Sequence, residues 1–200
     1  MSETARTVET RTDRLTLRPP TDADVDAIHR IYSDPRVWQH YPSLRHAERS
    51  TSESMVERWR AGWDAVGLAS WIVRLHDTDE VIGSGGCSLI GANGATAGSA
   101  IQADATVWNL GYRMSADHHG RGYVTELSRA ALDAARALRP ETPVIAYLVE
   151  HNRASAAVAE KVGLALVHRA PDAGNPDPGV LRLVYADRAL TEAQLATALH

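Results

Sequence analysis

The chain has 200 residues, of which 44% are hydrophobic and 23% are charged, and its formal net charge is −4. This length is typical of one domain with its own core, and the mild acidic balance without charged blocks disfavours a nucleic-acid partner. No apolar run approaches the ~20 residues of a membrane span, we expect no signal peptide at the polar N-terminus, and the single cysteine suits a reducing cytoplasm.

The N-terminal third predicts a tail, a strand and a helix. Residues 1–12 are polar and irregular, so we expect a flexible tail in front of a domain that spans 13–200. Leu15 and Leu17 alternate with polar residues and two prolines stop the run, as in a first strand. The following "TDAD" sequence has the spacing of a capping box and predicts the start of a helix.

The next segments predict a second helix and a hairpin. Residues 46–64 place large apolar side chains at helical spacing. Residues 69–76 and 80–90 flank an Asp-Thr-Asp turn and have the composition of two antiparallel strands. A Gly- and Ala-rich connection, 91–100, then leads to a fourth strand over 105–115.

The second half alternates strands and helices. The sequence "HHGRGYVTEL" follows the fourth strand and opens a helix over 121–138, after which a fifth strand covers 142–149. A short helix over 152–163, two strands and a closing helix over about 191–199 complete the chain. Because a strand–helix–strand unit requires parallel pairing, the element order predicts a single domain of mixed α/β class.

The loop in "HHGRGYVTEL" is the strongest local signal. Gly120 and Gly122 surround Arg121 at a helix start, where backbone N–H groups favour an anion and glycine lets a phosphate approach closely. A tight strand-to-helix turn would explain the same glycines, so the loop alone leaves both interpretations open. His118 and His119 have no third spaced ligand nearby, and we expect no metal.

Four segments, in one order, resemble the GNAT acyl-CoA N-acyltransferases, specifically the RimJ/RimL type of ribosomal-protein N-terminal acetyltransferase. They are residues 12–42, "WNLGYRM", "HHGRGYVTEL" and "EHNRASAAVAEKVGL", and the resemblance spans roughly 12–186. It implies a twisted, mostly antiparallel sheet that is splayed between the fourth and fifth strands, with helices on both faces. It also implies acetyl-CoA as the co-substrate whose pyrophosphate is the anion.

The same resemblance implies the residues of a site. Ser155 would protonate the leaving thiolate, although it also fits a local contact with the helix backbone. Asn152 would contact the pantetheine arm, although it also fits a helix N-cap. The implied coenzyme A contacts are Met114, His119, Gly120, Arg121, Gly122, Tyr123, Val124, Thr125 and Asn152.

Three positions depart from the family pattern. His119 stands where Gln or Arg is usual, which matters little if the loop binds through its backbone. Val124 stands where Gly or Ala is usual and brings a branched side chain close to the phosphates. Asn109 occupies the position of a frequent catalytic carboxylate and cannot take a proton, so the identity of the base is open.

The acceptor side is the least constrained by the sequence. Trp38, Tyr41, Asn109 and Glu150 are the predicted acceptor contacts, although the two aromatic residues also fit a cluster at the core edge and Glu150 also fits the surface. The acceptor is an amine, either a protein N-terminus or a small molecule such as an amino acid, polyamine or antibiotic. A further alternative is an acyl-CoA-binding module without turnover.

The closing helix is a candidate contact for a homodimer.

Overall fold

The computed structural model describes residues 9–91, 103–173 and 175–199. The strands are β1 (Thr10–Arg11), β2 (Leu15–Arg18), β3 (Ser70–Leu75), β4 (Val81–Ile90), β5 (Val107–Met114), β6 (Val144–Val149), β7 (Ala165–Pro171) and β8 (Leu181–Ala186). The helices are α1 (Val25–Tyr32), α2 (Arg49–Val66), α3 (Tyr123–Leu138), α4 (Arg153–Lys161) and α5 (Glu192–Leu199). One sheet holds all eight strands in the order β1-β2-β3-β4-β5-β6-β8-β7.

The pairing of β5 with β6 is the exception in this sheet. All other neighbouring strands are antiparallel, whereas β5 and β6 run parallel and are joined through α3. Their ladder has two residue pairs, Trp108 with Val144 and Asn109 with Ile145, and both strands continue beyond it without pairing to each other. The sheet therefore opens into a wedge, which confirms the predicted splay.

Helices cover both faces of the sheet, as predicted. Leu127 of α3 packs in the cluster that holds the even-numbered side chains of β5. On the other face, Ile28 of α1 and Val56 of α2 pack with Ile72 of β3. Ala198 of α5 packs over the odd-numbered side of β5, so α5 buries its own apolar residue against the sheet of its own chain.

The predicted capping box is present at the start of the first helical segment. The backbone N–H and the hydroxyl of Thr21 both donate to the Asp24 carboxylate, at 2.9 and 2.7 Å. Asp24 is buried and also accepts from Arg74 of β3 at 2.7 Å. The Asp24 carboxylate therefore accepts hydrogen bonds from Thr21 at the helix start and also fixes this helix start to β3 through Arg74.

The N-terminal segment differs from its prediction as a loose tail. Thr10–Arg11 form β1 and pair with the β2 residues Leu17 and Thr16. The carboxylate of Glu9 accepts from both Arg11 and Arg18 and so bridges the two strands. Residues 1–8 lie outside the described segments. The additional strand moves the splayed pair from the predicted fourth and fifth positions to β5 and β6.

Several helix boundaries also differ from the predicted ones, and the helix expected over 152–163 runs from Arg153 to Lys161. The helix expected over 121–138 begins at Tyr123, because Gly122 has a φ of 81° and does not continue the helical backbone. The helix expected over 46–64 runs from Arg49 to Val66 and ends at Gly67, whose φ is 76°. Most of the predicted 91–100 connection lies outside the described segments. Within them, no helix is long and apolar enough to cross a bilayer.

The closest approach between α3 and the sheet depends on Gly85 of β4. A Cβ there would lie 2.7 Å from Leu127 Cδ2 and 2.9 Å from the Gly111 carbonyl oxygen. We predict that Gly85→Ala lowers the free energy of unfolding by about 1–3 kcal/mol, because α3 or the β5 backbone must shift. Denaturant unfolding measures this change.

Gly111→Ala on the adjacent strand is the matched control, because a Cβ there would have no neighbour within 4 Å. We expect it to change the free energy of unfolding by less than about 0.5 kcal/mol. Equal losses in the two variants would contradict the packing argument.

Candidate active site

A two-lobed cleft follows the wedge between β5 and β6. The first lobe, of about 740 Å³, extends from the loop before α3 to the start of α4. The second lobe, of about 380 Å³, lies over the unpaired parts of β5 and β6. Five residues line both lobes and mark their junction: His40, Tyr112, Arg113, Asn152 and Ser155.

The loop before α3 presents a row of free backbone donors to the first lobe. Gly120 and Gly122 have φ angles of 75° and 81°, which side-chain-bearing residues rarely adopt. In the described part of the chain, the N–H groups of residues 120–125 form no hydrogen bond of good geometry. Unsatisfied N–H groups at a helix N-terminus, next to left-handed glycines, are suited to a phosphate-type anion.

A salt bridge supports this loop from behind. Arg14 pairs with Glu126 of α3 at 2.7 Å, and its Nη1 donates to the Arg121 carbonyl at 2.9 Å. Burial alone would raise the pKa of Glu126, but hydrogen bonds from Thr12 and Arg14 outweigh it and hold the pKa below its ordinary value. The loop is therefore fixed by residues on the N-terminal side of β2, which the sequence analysis did not assign to the site.

His119 and Val124, the two loop residues that depart from the family pattern, have structural contacts. His119 Nε2 donates to the Met114 carbonyl at 2.9 Å and so fastens the loop to the end of β5. Val124 lines the first lobe but also packs against the core, so its branched side chain has an apolar contact. Arg121 is exposed and contributes its carbonyl to the Arg14 contact. The other predicted coenzyme A residues of the loop, and Met114, line the first lobe.

Tyr112, Ser155 and Asn152 form a hydrogen-bonded group across the wedge. The Tyr112 hydroxyl donates to Ser155 Oγ at 3.1 Å, which links β5 to α4. Asn152 Oδ1 accepts from the Ser155 N–H at 3.2 Å, so Asn152 is the N-cap of α4 and also lines the cleft. Burial raises the pKa of Tyr112, so it remains a proton donor at neutral pH. The sequence analysis named Ser155 and Asn152 but missed Tyr112.

The four predicted acceptor contacts occupy different places. Tyr41 and Asn109 line the second lobe. Trp38 is buried outside both lobes, and its indole N–H donates to the Tyr32 carbonyl at 2.6 Å. Glu150 lines neither lobe and pairs with Arg169 of β7 at 2.6 Å. Trp38 and Glu150 therefore do not line the cleft, contrary to the prediction.

Arg113 lines both lobes of the cleft and is not among the site residues predicted from the sequence. It lies on the same side of β5 as Asn109 and Gly111, which two-residue alternation along a strand dictates. Its guanidinium carbon stands 3.7 Å over the Trp38 ring, and Nη1 donates to His40 Nε2 at 3.0 Å. Period-two alternation could have placed Arg113 on the cleft side, but no local pattern indicated that its side chain would be half-buried.

His40 is a neutral partner for Arg113. Burial, with smaller contributions from Arg113 and His151, lowers the pKa of His40 to about 4. At neutral pH its Nε2 is therefore free to accept from the guanidinium, while its Nδ1 carries the proton. His151 Nε2 donates to the His40 carbonyl at 2.8 Å and fastens this loop to the end of β6.

Arg182 of β8 closes the far side of the second lobe. Its guanidinium pairs with the buried carboxylate of Asp172 at 2.7 Å and lies 5.0 Å from the centre of the Tyr147 ring. Nη1 also donates to the Leu199 carbonyl in the last turn of α5, at 2.9 Å. The charge of Arg182 is therefore already balanced within the chain. Among the described residues, no group of three or more His, Cys, Asp or Glu side chains is arranged to hold a metal ion.

Comparisons with known proteins point to one family. The model described as "Acetyltransferase (GNAT) domain" matches residues 14–165. The uncharacterized protein YkkB of Bacillus subtilis (strain 168) is 31% identical over 156 residues, which cover 76% of this chain and 83% of YkkB. The family match includes β2 to α4, and hence the whole lining of the first lobe.

Solved structures share this fold. An acetyltransferase from Agrobacterium tumefaciens is 29% identical, with a TM-score of 0.66 and coverage of 89% of this chain and 94% of that one. The ribosomal-protein-S5-alanine acetyltransferase of Vibrio fischeri has a TM-score of 0.68, with coverage of 92% and 97% respectively. At 14% identity, the latter likeness shows a common fold.

The free donors of the loop generate a prediction about coenzyme A. We predict that Gly122→Ala weakens coenzyme A binding at least tenfold, or about 1.4 kcal/mol. A side chain disfavours the left-handed backbone by about 1–2 kcal/mol, and relaxing that strain turns the N–H groups away from the phosphates. Titration calorimetry measures the affinity.

Gly67→Ala at the end of α2 is the control. Gly67 has nearly the same backbone angle, φ 76° against 81°, and a Cβ there would also meet no close neighbour, but it lies outside both lobes. It carries the same backbone strain and should leave the affinity for coenzyme A unchanged. Unchanged affinity in a folded Gly122→Ala variant would remove the loop from the binding site.

Proposed function

The chain belongs to the GNAT acetyltransferase family, and on that premise we propose that it acetylates the α-amine of a protein or peptide N-terminus. As a member of that family it is an acetyl-CoA-dependent N-acetyltransferase. The observation that supports acetyl-CoA as the acetyl donor is the row of free N–H groups at residues 120–125, which opens into the unpaired wedge between β5 and β6. That arrangement suits a long ligand with a phosphate group at one end and a reactive group at the other.

Acetyl-CoA is such a ligand, and it supplies the acetyl thioester. The N–H groups of 120–125 would hold its pyrophosphate. The unpaired backbone of β5 and β6 offers N–H and C=O groups to the amides of the pantetheine arm, as an added strand would use them. The thioester would then lie near the junction of the two lobes, beside Ser155.

Transfer proceeds by direct attack in a complex of both substrates. The neutral amine nitrogen attacks the thioester carbonyl carbon, a C–N bond forms, and the C–S bond breaks as its electron pair leaves on sulfur. Ser155 gives its hydroxyl proton to the thiolate and takes a proton from Tyr112, which donates to it at 3.1 Å. The amine nitrogen loses its extra proton to water, and solvent restores the proton of Tyr112. Positioning of the two substrates supplies much of the rate enhancement.

Among the residues that the structure describes, none supplies the second lobe with an available carboxylate base. Asn109 cannot accept a proton, and the one carboxylate that lines this lobe, Asp172, pairs with Arg182. Glu150 is engaged with Arg169 outside the lobe. His40 accepts its hydrogen bond from Arg113 and has a pKa of about 4, which makes it a weak base. The amine must therefore reach the thioester already neutral.

This requirement favours amines of low pKa. Near pH 7.5, an α-amine with a pKa of about 7.8 is about one-third neutral, whereas a lysine with a pKa of about 10.4 is only about 0.1% neutral. The difference amounts to roughly 3 kcal/mol, similar to what a good general base contributes. The lack of a free base in the lobe is thus what supports an α-amine as the acceptor.

We predict that Ser155→Ala lowers kcat roughly 10- to 100-fold while acetyl-CoA affinity stays nearly intact. A thiolate is a fair leaving group, since a free thiol has a pKa of about 8.5, so the loss of its proton donor is at the modest end of acid catalysis. Tyr112→Phe keeps the ring packing and removes the proton supply, and it should lower kcat in the same direction. Steady-state kinetics with calorimetry separates the two effects. A fall in affinity with unchanged kcat would make Ser155 a binding contact.

The choice of amine is tested with two peptides, one with a free N-terminus and a blocked lysine, and one with the reverse. We predict a higher kcat/KM for the free α-amine, with a rate that rises towards a plateau near pH 8 as the amine of pKa about 7.8 loses its proton. Mass spectrometry locates the acetyl group, and thiol release gives the rate.

Faster acetylation of the lysine peptide would contradict the proposal. An acidic limb near pH 6 that belongs to an enzyme group would do the same, because it would reveal a base. The pKa of His40 lies too low, at about 4, to generate a limb at that pH.

A further inference from the structure

Arg113 is a half-buried cation at the cleft junction, and no carboxylate of the described residues pairs with it. The three other arginines of intermediate exposure in the described chain each have a carboxylate partner. Arg18 pairs with Glu9 at 2.8 Å. Arg74 pairs with Asp24 at 2.7 Å, and Arg182 pairs with Asp172 at 2.7 Å. The hydrogen-bond partner of Arg113 is a neutral histidine, and its Nε–H is buried with no acceptor among the described residues.

Such an arrangement is costly unless something else balances the charge. Removing a guanidinium from water costs several kcal/mol that a neutral imidazole does not recover, and the face of an indole recovers only part of it. Burial lowers the pKa of Arg113, but guanidinium groups remain charged in proteins. The side chain is nevertheless held in one place by Trp38 and His40, and it lines both lobes. A fixed, unbalanced cation in a cleft is a receptor for an anion.

We propose that Arg113 binds a carboxylate of the acceptor, so that the acceptor is a primary amine with a carboxylate close to its amino group. This inference rests on the proposed function, which assigns the second lobe to the acceptor. Two sources share this chemistry: the α-carboxylate of a free amino acid, and the acidic side chain of a peptide's first residues. Arg113 takes no part in the exchange of bonds and is a specificity-determining residue.

The charges around the junction support an anionic acceptor over a cationic one. Asp172 is the one carboxylate among the described residues that line the second lobe, and it is already paired with Arg182. The described lining therefore offers no free anion to a polyamine. The cation of Arg113 also opposes an ammonium group beside it. A neutral amine that carries a carboxylate satisfies both conditions, and it is the form that is ready to attack the thioester.

The experiment compares matched acceptors on wild-type protein and on Arg113→Gln. One pair is alanine and alaninamide, and the other is Asp-Ala-Ala-amide and Asn-Ala-Ala-amide. We expect kcat/KM for the carboxylate member of at least one pair to fall roughly ten- to one-hundredfold in Arg113→Gln, as the loss of a charged hydrogen bond predicts. The uncharged member should change less than about threefold. Comparing each acceptor between proteins cancels differences in amine pKa, and the responding pair identifies the source.

Arg129→Gln is the control for net charge. Arg129 is exposed on α3, lines neither lobe, and should leave the preference for the carboxylate member unchanged. Acetyl-CoA affinity should be the same in all three proteins. An equal loss with both members of a pair, or a loss of acetyl-CoA affinity alone, would overturn the assignment of Arg113.

Calorimetry separates this inference from the proposed transfer reaction. The four acceptors are titrated into protein saturated with coenzyme A, where no acetyl group is present. Binding of a carboxylate member to wild type but not to Arg113→Gln supports the inference even if no amine is acetylated, in which case the transfer proposal alone fails. If neither carboxylate member binds better to wild type than its uncharged twin does, the inference is wrong.

Discussion

The two-residue ladder between β5 and β6 is the constraint on which the rest of the molecule depends. A parallel pair needs a crossover connection, and α3 supplies it. Because pairing stops after Asn109 and Ile145, the remaining backbone of both strands faces a gap instead of a neighbour. The crossover helix α3 and the helix α4 both begin beside that gap, and the first residues of each line the first lobe. One break in a hydrogen-bond ladder thus creates the cleft and brings two helix N-termini to it.

The cleft is held open by contacts that cross it. Tyr112 and Ser155 join β5 to α4, and His151 joins the end of β6 to the loop that carries His40. Arg14 holds the loop before α3 from the opposite direction. These contacts are formed by side chains and backbone carbonyls, so the N–H groups that face the first lobe stay free. The contacts that hold the cleft open therefore do not use the N–H groups of residues 120–125.

The sequence predicted those parts whose cause is local. Apolar periodicity located the helices, Gly120 and Gly122 located the loop, and Asn152 located the start of α4. The sequence did not predict β1, because the Glu9 carboxylate accepts hydrogen bonds from arginines on two different strands, Arg11 and Arg18. It did not predict the environment of Arg113, because the indole beneath the guanidinium comes from a turn, Pro35–Trp38, far away along the chain.

The direction of the Glu150 side chain is a second property that the local sequence did not predict. Its position after a buried strand was compatible with the cleft and with the surface, and its actual direction follows from Arg169 on β7, which comes later in the sequence. The assignment of acceptor contacts from sequence was least secure for this reason. Strand alternation fixes which face of a sheet a residue occupies, whereas long-range ion pairs decide where a side chain on the margin of a cleft points.

The hydrogen bond from Arg182 to the Leu199 carbonyl links the second lobe to the last turn of α5. Arg182 is the residue that neutralises Asp172, so the electrostatic potential of that lobe depends partly on how the last turn of α5 is seated. A truncation within α5 that removes Leu199 would withdraw one of the acceptors that hold the guanidinium.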